Sequence, residues 1–321
     1  MILFLHPNSQ WWEARCDLRQ RLATEAGIET VSVAAPRRVS CEWLADLAEI
    51  HNAQVIVNHC VIVPPKVFEE VARMMPDRTF IFVCHSSIPH ITRGGDGVRM
   101  LQDTLTVTER NPNVYFATPD ERNQIARLVD CDRVQWLPNP VGLTTHYPPR
   151  TSPPVVNPRI VLAGRSDPVK NYAHQIAACR LLRPCQVVAV LREHNRINLK
   201  AIGQTFHMPI RFEPFMPRAE WLDFLQGADL VLQVSHSESF NYVGIEALCS
   251  GVPVIGSPSL RYLPEDWQAD PDDMDDIADK ARAALGDTGA RLRAAVIGHE
   301  FADKMDAAFI ERLQSWIGEH G

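Results

Sequence analysis

The sequence lacks several patterns that would assign it to a common class of protein. A dinucleotide-dependent dehydrogenase needs a G-x-G-x-x-G loop after its first strand. The first strand here continues as "LHPNSQWW", without glycine, and the corresponding segment of the second half, "LAGRSDPVKN", has one. No apolar run reaches membrane-spanning length, and the start "MILFLHPNSQWW" has no cationic leader. We therefore expect that the protein is not a dehydrogenase and that it has no membrane span and no signal peptide.

Paired cysteines and metal-ligand spacings are also missing. The eight cysteines are scattered, without a C-x-x-C pair. We expect reduced, mostly buried thiols, no metal site and a cytoplasmic protein. The formal net charge of −7 argues against broad binding to a nucleic-acid backbone. With 45% hydrophobic and 22% charged residues the chain is expected to fold.

Short β-branched runs alternate with amphipathic segments in both halves of the chain. This alternation predicts an α/β protein whose parallel sheets are covered on both faces. A proline-rich stretch, "YPPRTSPPVVNP", predicts a linker at 147–158 between Rossmann-like domains at 1–146 and 159–300, with a final helix at 301–321. Two doubly wound domains are expected to face each other across a cleft. Ligands of such sheets bind beyond the carboxyl ends of the strands.

One strand of the second half is followed by a loop with two cations. Gly164 allows the chain to turn tightly out of the strand in "AGRSDPVKN". Arg165 and Lys170 follow, and a guanidinium together with an ammonium suits a diphosphate. A solvated surface loop with two ordinary cations is an equal alternative.

A second segment, "SHSESFNYVGIEALCSGVPVIG" at 235–256, keeps two glutamates among apolar residues. It predicts a buried helix that begins near Asn241 or Tyr242 and ends at the C-cap glycine Gly251. Glu246 inside this helix needs hydrogen-bond donors, either a protein arginine or a pair of ligand hydroxyls. Glu238 precedes the helix, whose free N–H groups suit an anion.

The two glutamates therefore permit two interpretations. A nucleoside diphosphate sugar would match an anion site with a hydroxyl acceptor on either side. Alternatively, Glu238 stabilises the start of the helix and Glu246 pairs with a protein base.

Other candidate residues have more modest interpretations. His6, His59 and His85 end three strands of the first half, where they could line an acceptor site or serve the structure. The segment "TRGGDGVR" at 92–99 is expected to be a mobile loop whose arginines could meet an anionic acceptor. The acidic run "DPDDMDD" at 270–276 is expected to complement a helix dipole rather than to bind metal.

Several ordered motifs resemble a known family. "ESFNYVGIEALCSGVPVI" resembles the E-x7-E motif of retaining GT-B glycosyltransferases, especially glycosyltransferase family 4. "LAGRSDPVKN" is similar to the family's G-R-x-x-x-x-K-N segment, and "WLPNPVGLTTHYPP" to its P-N-G-V-D segment. The last helix resembles the family's C-terminal helix, which crosses back to the first domain. The resemblance covers most of 130–321.

The resemblance implies a metal-independent donor site without a cofactor beyond the nucleotide sugar, with a UDP-glucose-like donor favoured. By this resemblance Glu246 would bind the ribose and Glu238 the sugar hydroxyls. Arg165 and Lys170 would hold the diphosphate next to Gly164, and His85 would lie near the donor sugar. The remaining donor-binding positions are backbone N–H groups at Phe240, Asn241 and Tyr242, and side chains near the base at Phe215 and Met216. Ser239 and Asn241 depart from the glycines usual in E-G-F-G.

The implied activity is transfer of a hexose, with retention, from a nucleotide sugar to a hydroxyl acceptor. The alternatives are a sugar-nucleotide epimerase on the same fold and a non-catalytic nucleotide-binding homologue. The sequence leaves the acceptor open among glycans, lipids, small molecules and modified nucleic-acid bases.

Overall fold

The structure is a computed structural model that describes residues 1–8, 10–91, 95–119, 121, 125, 132–143, 156–165, 167–193 and 196–320. Most of the linker predicted at 147–158 lies outside these residues, as do Arg93 and its two neighbours. The chain divides into two compact units. The N-terminal domain comprises Met1–Gly142 and Lys304–Gly321, and the C-terminal domain comprises Leu143–Asp303.

The N-terminal domain is built on a six-stranded sheet of parallel strands in the order β2-β1-β3-β4-β5-β6. Its strands are β1 (Ile2–Pro7), β2 (Thr30–Ala35), β3 (Val55–His59), β4 (Thr79–Val83), β5 (Val114–Thr118) and β6 (Val134–Trp136). Its helices are α1 (Gln10–Glu25), α2 (Cys41–Ile50), α3 (Pro65–Met74), α4 (Ile88–Ile91) and α5 (Gly95–Arg110). Helix α5 takes up positions 95–99, so most of the loop predicted at 92–99 is helical. Asp96 lies in the first turn of this helix, where a negative charge complements the helix dipole.

Apolar residues on both faces of this sheet explain why its strands read as nearly unbroken hydrophobic runs. Leu3 and Leu5 of β1 point to a core shared with α2, α3 and α5. Ile2 and Phe4 point to the other face, where they join residues of α1 and of the last helix of the chain. The alternation follows from the two-residue period of a strand.

The last helix, α11 (Ala290–His320), begins well before the predicted position 301. Its final part belongs to the N-terminal domain, where Phe309, Leu313 and Trp316 are buried against the sheet. Asp306 of the same part accepts hydrogen bonds from the backbone N–H groups of Val141, at 2.6 Å, and of Gly142, at 2.9 Å. The end of the N-terminal domain is thereby attached to α11.

The C-terminal domain holds a second sheet of parallel strands in the order β11-β10-β7-β8-β9. Its strands are β7 (Arg159–Ala163), β8 (Gln186–Val190), β9 (Ile210–Glu213), β10 (Leu230–Gln233) and β11 (Val254–Gly256). Its helices are α6 (Tyr172–Leu181), α7 (Arg196–Thr205), α8 (Arg218–Leu225), α9 (Tyr242–Cys249), α10 (Met274–Gly286) and the first part of α11. The prediction of two Rossmann-like parallel sheets is confirmed.

Helix α9 ends as the sequence predicts. Gly251 has a φ of +68°, and its N–H bonds to the carbonyl of Leu248 while the N–H of Val252 bonds to that of Ala247. This is the Schellman arrangement, which needs a left-handed residue and therefore favours glycine. The acidic run at 270–276 leads into a helix, as predicted. Asp273 caps the start of α10, where its side chain accepts from the N–H groups of Asp275 and Asp276.

Candidate functional site

Several of the residues singled out in the second half lie at the carboxyl ends of two neighbouring strands of the C-terminal sheet. Strands β7 and β10 are parallel neighbours, so their carboxyl ends lie side by side. Gly164 follows β7 with a φ of +136°, a backbone conformation that glycine alone adopts without strain. The chain then forms a short 3-10 turn, Pro168–Lys170, before α6. The segment that carries Glu238 follows β10.

Glu238 lies at the centre of a compact hydrogen-bond network. Its side chain is 6% exposed, and its Oε1 accepts from the ammonium of Lys170, which is itself largely buried. The same oxygen accepts from Oγ of Ser235 at 2.8 Å and from Nδ2 of Asn241 at 3.0 Å. The predicted sugar-binding carboxylate and the predicted phosphate-binding ammonium are therefore in direct contact.

Asn241, one of the departures from the family pattern, is the N-cap of α9. Its Oδ1 accepts from the N–H of Gly244 at 2.8 Å, and its Nδ2 donates to Glu238 and to Oε1 of Gln233. One of the N–H groups at the start of the helix is therefore already satisfied by a side chain. A glycine at this position would leave that N–H group to solvent or to a ligand.

Both oxygens of Glu246 accept hydrogen bonds from helix α8. Nε of Arg218 lies 2.9 Å from Oε1, and Nε1 of Trp221 lies 2.9 Å from Oε2. These contacts match the alternative interpretation, in which Glu246 pairs with a protein base. A carboxylate offers about four lone-pair sites in all. Binding of ribose by Glu246 stays a prediction.

The other predicted donor-site residues differ in exposure. Arg165 is exposed. Phe215 is 51% exposed, with the guanidinium carbon of Arg192 5.3 Å from its ring centroid. Met216 packs partly on the core of the domain. The rings of Phe240 and Tyr242 pack edge to face, with 4.7 Å between their centroids.

Buried amides, which the sequence reasoning missed, connect the two strand ends. Asn171, with a φ of +54°, donates to the carbonyls of Val234 and Pro271. Gln233 donates to the carbonyl of Ala163 at the end of β7. A polar Gln233 inside the apolar run "LVLQV" was the available signal. These bonds hold the two loops of the site in register.

Two of the three histidines come together in the N-terminal domain. Nδ1 of His59 and Nε2 of His85 are 2.9 Å apart, and His59 also stacks on Phe4. Burial, followed by the nearby guanidinium of Arg19, lowers the pKa of both rings well below the usual value. His6, 4% exposed, bonds through Nδ1 to the carbonyl of Pro7. Neutral imidazoles are therefore favoured at His59 and His85.

The described residues hold no metal-ligating cluster, no membrane-spanning helix and no disulfide. No group of three or more histidine, cysteine or acidic side chains there has the geometry to hold a metal ion. None of the described helices combines the length and apolar character that a membrane crossing requires. The six cysteines whose side chains the structure describes are free thiols.

Comparison with known proteins yields a family match in the C-terminal half. Residues 148–298 match the family described as glycosyl transferases group 1. A D-inositol 3-phosphate glycosyltransferase from Xylanimonas cellulosilytica is 30% identical over 207 residues, which are 56% of this chain and 50% of that protein. The chain thus spans about half the length of this curated relative.

Solved structures resemble the whole chain. Sucrose-phosphate synthase from Thermosynechococcus elongatus has a TM-score of 0.74 at 14% identity, covering 99% of this chain and 98% of that one. Anabaena HepE in complex with UDP and glucose has a TM-score of 0.72 at 15% identity, covering 99% of each chain. The chain therefore has the two-domain α/β fold of GT-B glycosyltransferase structures, and its residues 148–298 match the group 1 glycosyl transferases.

Proposed function

We propose that the protein is a glycosyltransferase that moves a hexose, with retention of configuration, from a nucleoside diphosphate sugar to a hydroxyl acceptor. The observation that carries the proposal is the buried network in which Lys170, Glu238 and the start of α9 meet at the carboxyl ends of β7 and β10. The group 1 match over 148–298 covers this network. Both glutamates of the E-x7-E resemblance are buried within it or beside it.

In the proposed reaction the bond between the anomeric carbon and the diphosphate breaks, and the diphosphate leaves with the electron pair. Lys170 has three N–H donors, of which Glu238 occupies one, so the others can bind phosphate oxygens. Backbone N–H groups at the start of α9 add partial positive charge. Donors placed where charge develops are worth about 2–4 kcal/mol each in comparable oxyanion sites.

Retention is proposed to follow from attack on the same face that the diphosphate leaves. The acceptor hydroxyl bonds to the anomeric carbon and passes its proton to an oxygen of the departing diphosphate. Oε1 of Glu238 is occupied by Lys170, Ser235 and Asn241, which leaves Oε2 to bind sugar hydroxyls. Its role here is to orient the sugar.

UDP is the proposed nucleotide. The Anabaena structure of the same fold was determined with UDP and glucose. Phe215 is exposed beside Arg192 in the loop before α8, where a base could stack on its ring. Glu246, one turn into α9, is the proposed ribose acceptor.

A binding screen followed by a turnover assay tests the proposal. The protein would be titrated with UDP, GDP, ADP and dTDP, and then incubated with the matching hexose donors and pooled hydroxyl acceptors. We expect binding of at least one diphosphate and formation of a glycoside with the donor's anomeric configuration, read by NMR. Conversion of the donor alone into its epimer would indicate the epimerase, and binding without any turnover a non-catalytic homologue.

A carboxylate variant gives the matched control. Glu238→Gln is expected to lower turnover at least a hundredfold, because the neutral amide accepts more weakly from the sugar hydroxyls and does not balance the charge of Lys170. Glu265→Gln, an exposed position of the same domain, is expected to keep wild-type turnover. Equal activity of both variants would contradict the assignment of Glu238.

A further inference from the structure

Tyr172, the first residue of α6, has a buried hydroxyl group that the protein does not satisfy. The side chain is 5% exposed, and its Oη bonds to none of the residues that the structure describes. An unsatisfied buried hydroxyl destabilises the folded protein, and phenylalanine would avoid this cost. Stability alone therefore does not explain a tyrosine at this position.

The hydroxyl lies beside the proposed phosphate-binding loop. A Cβ atom added to Gly164 would lie 3.1 Å from Oη of Tyr172 and 3.8 Å from Cε of Lys170. A side chain at position 164 would therefore crowd the hydroxyl of Tyr172. Any larger residue there would also be strained at a φ of +136°.

Burial, together with the local charge, keeps this hydroxyl a hydrogen-bond donor. Burial, and to a smaller extent the nearby carboxylate of Glu238, raises the pKa of Tyr172 above its usual value. The group therefore carries its proton at neutral pH. Lys170, two residues earlier, presents an ammonium whose bond to Glu238 uses one of three N–H donors. The hydroxyl of Tyr172 and the side chain of Lys170 both lie beside Gly164.

We propose that Tyr172 is a further donor-binding residue, whose hydroxyl donates a hydrogen bond to a phosphate oxygen of the nucleoside diphosphate next to Lys170. The inference rests on the proposed function and names an additional residue of that site. The hydroxyl keeps its proton throughout and stabilises the negative charge that grows on the departing diphosphate. A phosphate oxygen supplies the acceptor that the protein itself does not provide.

The test compares Tyr172, whose hydroxyl is unsatisfied, with a tyrosine whose hydroxyl has a partner in the protein. Tyr262 is also in the C-terminal domain, and burial followed by Glu238 likewise raises its pKa, but its hydroxyl donates to the carbonyl of Asn241 at 3.3 Å. Tyr172→Phe and Tyr262→Phe would be titrated calorimetrically with UDP and with uridine. If the wild type prefers another of the four diphosphates, that compound and its nucleoside replace them.

Tyr172→Phe is expected to bind UDP about tenfold more weakly, which corresponds to about 1.4 kcal/mol, with unchanged affinity for uridine. Its unfolding midpoint is expected to stay the same or rise, because the lost hydroxyl had no partner. Tyr262→Phe is expected to show the reverse pattern, with a lower midpoint and UDP affinity within twofold of the wild type.

Three outcomes would overturn the inference. Equal UDP affinity for the wild type and Tyr172→Phe would overturn it and leave the proposed function intact. Equal losses for UDP and uridine would show that the hydroxyl does not act on a phosphate. A wild type that binds none of the four diphosphates would overturn the inference together with the proposed function.

Discussion

The ammonium of Lys170 bonds directly to Oε1 of Glu238, although the two residues are 68 positions apart in the chain. Their contact depends on the parallel pairing of β7 with β10, which brings the loops after both strands to one edge of the sheet. The family resemblance implies phosphate binding for Lys170 and sugar binding for Glu238. Their contact means that substitution of either residue changes the charge balance of the other.

Lys170→Met is expected to lower the free energy of unfolding by about 3 kcal/mol, because it leaves Glu238 buried without its cation. The double variant Lys170→Met/Glu238→Gln is expected to recover part of this loss. Urea unfolding of the wild type, both single variants and the double variant gives the coupling energy. Strict additivity of the single effects would contradict an interaction between Lys170 and Glu238. Lys200→Met, on the exposed face of α7, is the control.

Trp221→Phe removes the indole N–H that bonds to Oε2 of Glu246. The loss of a bond to a carboxylate inside the domain is expected to cost about 1–3 kcal/mol of stability. If Glu246 binds the ribose, uridine affinity falls as well, while affinity for pyrophosphate is retained.

Calorimetric titration with uridine and pyrophosphate checks this second prediction. Trp267→Phe is the control, because Trp267 is buried in the same domain and its ring faces Arg293 rather than Glu246. It is expected to lose stability through packing and to keep uridine affinity. Unchanged uridine affinity in Trp221→Phe and Glu246→Ala would remove Glu246 from the site.

Asn241 combines a helix cap with donors to two buried side chains, and substitutions can separate these contributions. Asn241→Ser keeps an acceptor for the N–H of Gly244 and loses the bonds to Glu238 and Gln233. Asn241→Ala loses both and is expected to be about 1 kcal/mol less stable than the serine variant. Chemical unfolding of the C-terminal domain measures the stabilities of the two variants. Equal stabilities would argue against a capping role for Asn241.

The stability of the N-terminal domain is expected to fall as the pH drops below about 6.5. His59 and His85 have lowered pKa values in the folded domain, whereas in the unfolded chain they titrate near the usual value. The unfolded chain therefore binds more protons below that pH, and acid favours unfolding. The expected loss is about 1.4 kcal/mol per pH unit for each of the two histidines.

Urea unfolding of this domain between pH 5 and pH 7.5 tests the dependence. His59→Asn is expected to reduce the slope, while His51→Gln, a half-exposed position after α2, is expected to keep it. A flat profile for the wild type over this range would contradict the assignment of neutral buried imidazoles.

Much of the fold follows from local pattern. Apolar runs such as 2–7 and 159–163 become central strands because both of their faces are covered. Gly164 and Gly251 mark turns that need unusual backbone angles. The last helix begins at Ala290 and not at 301, and it includes Gly298, whose missing Cβ lets the backbone of α9 approach at Cys249.

The sequence by itself determined the two parallel sheets, the position of α9 and the presence of two carboxylates within or next to that buried helix. These features depend on residues that are neighbours in the chain. The partners of those carboxylates were decided by the tertiary structure. Lys170 meets Glu238, Arg218 and Trp221 meet Glu246, and Tyr172 faces Gly164, because strand order and helix packing bring separate segments together.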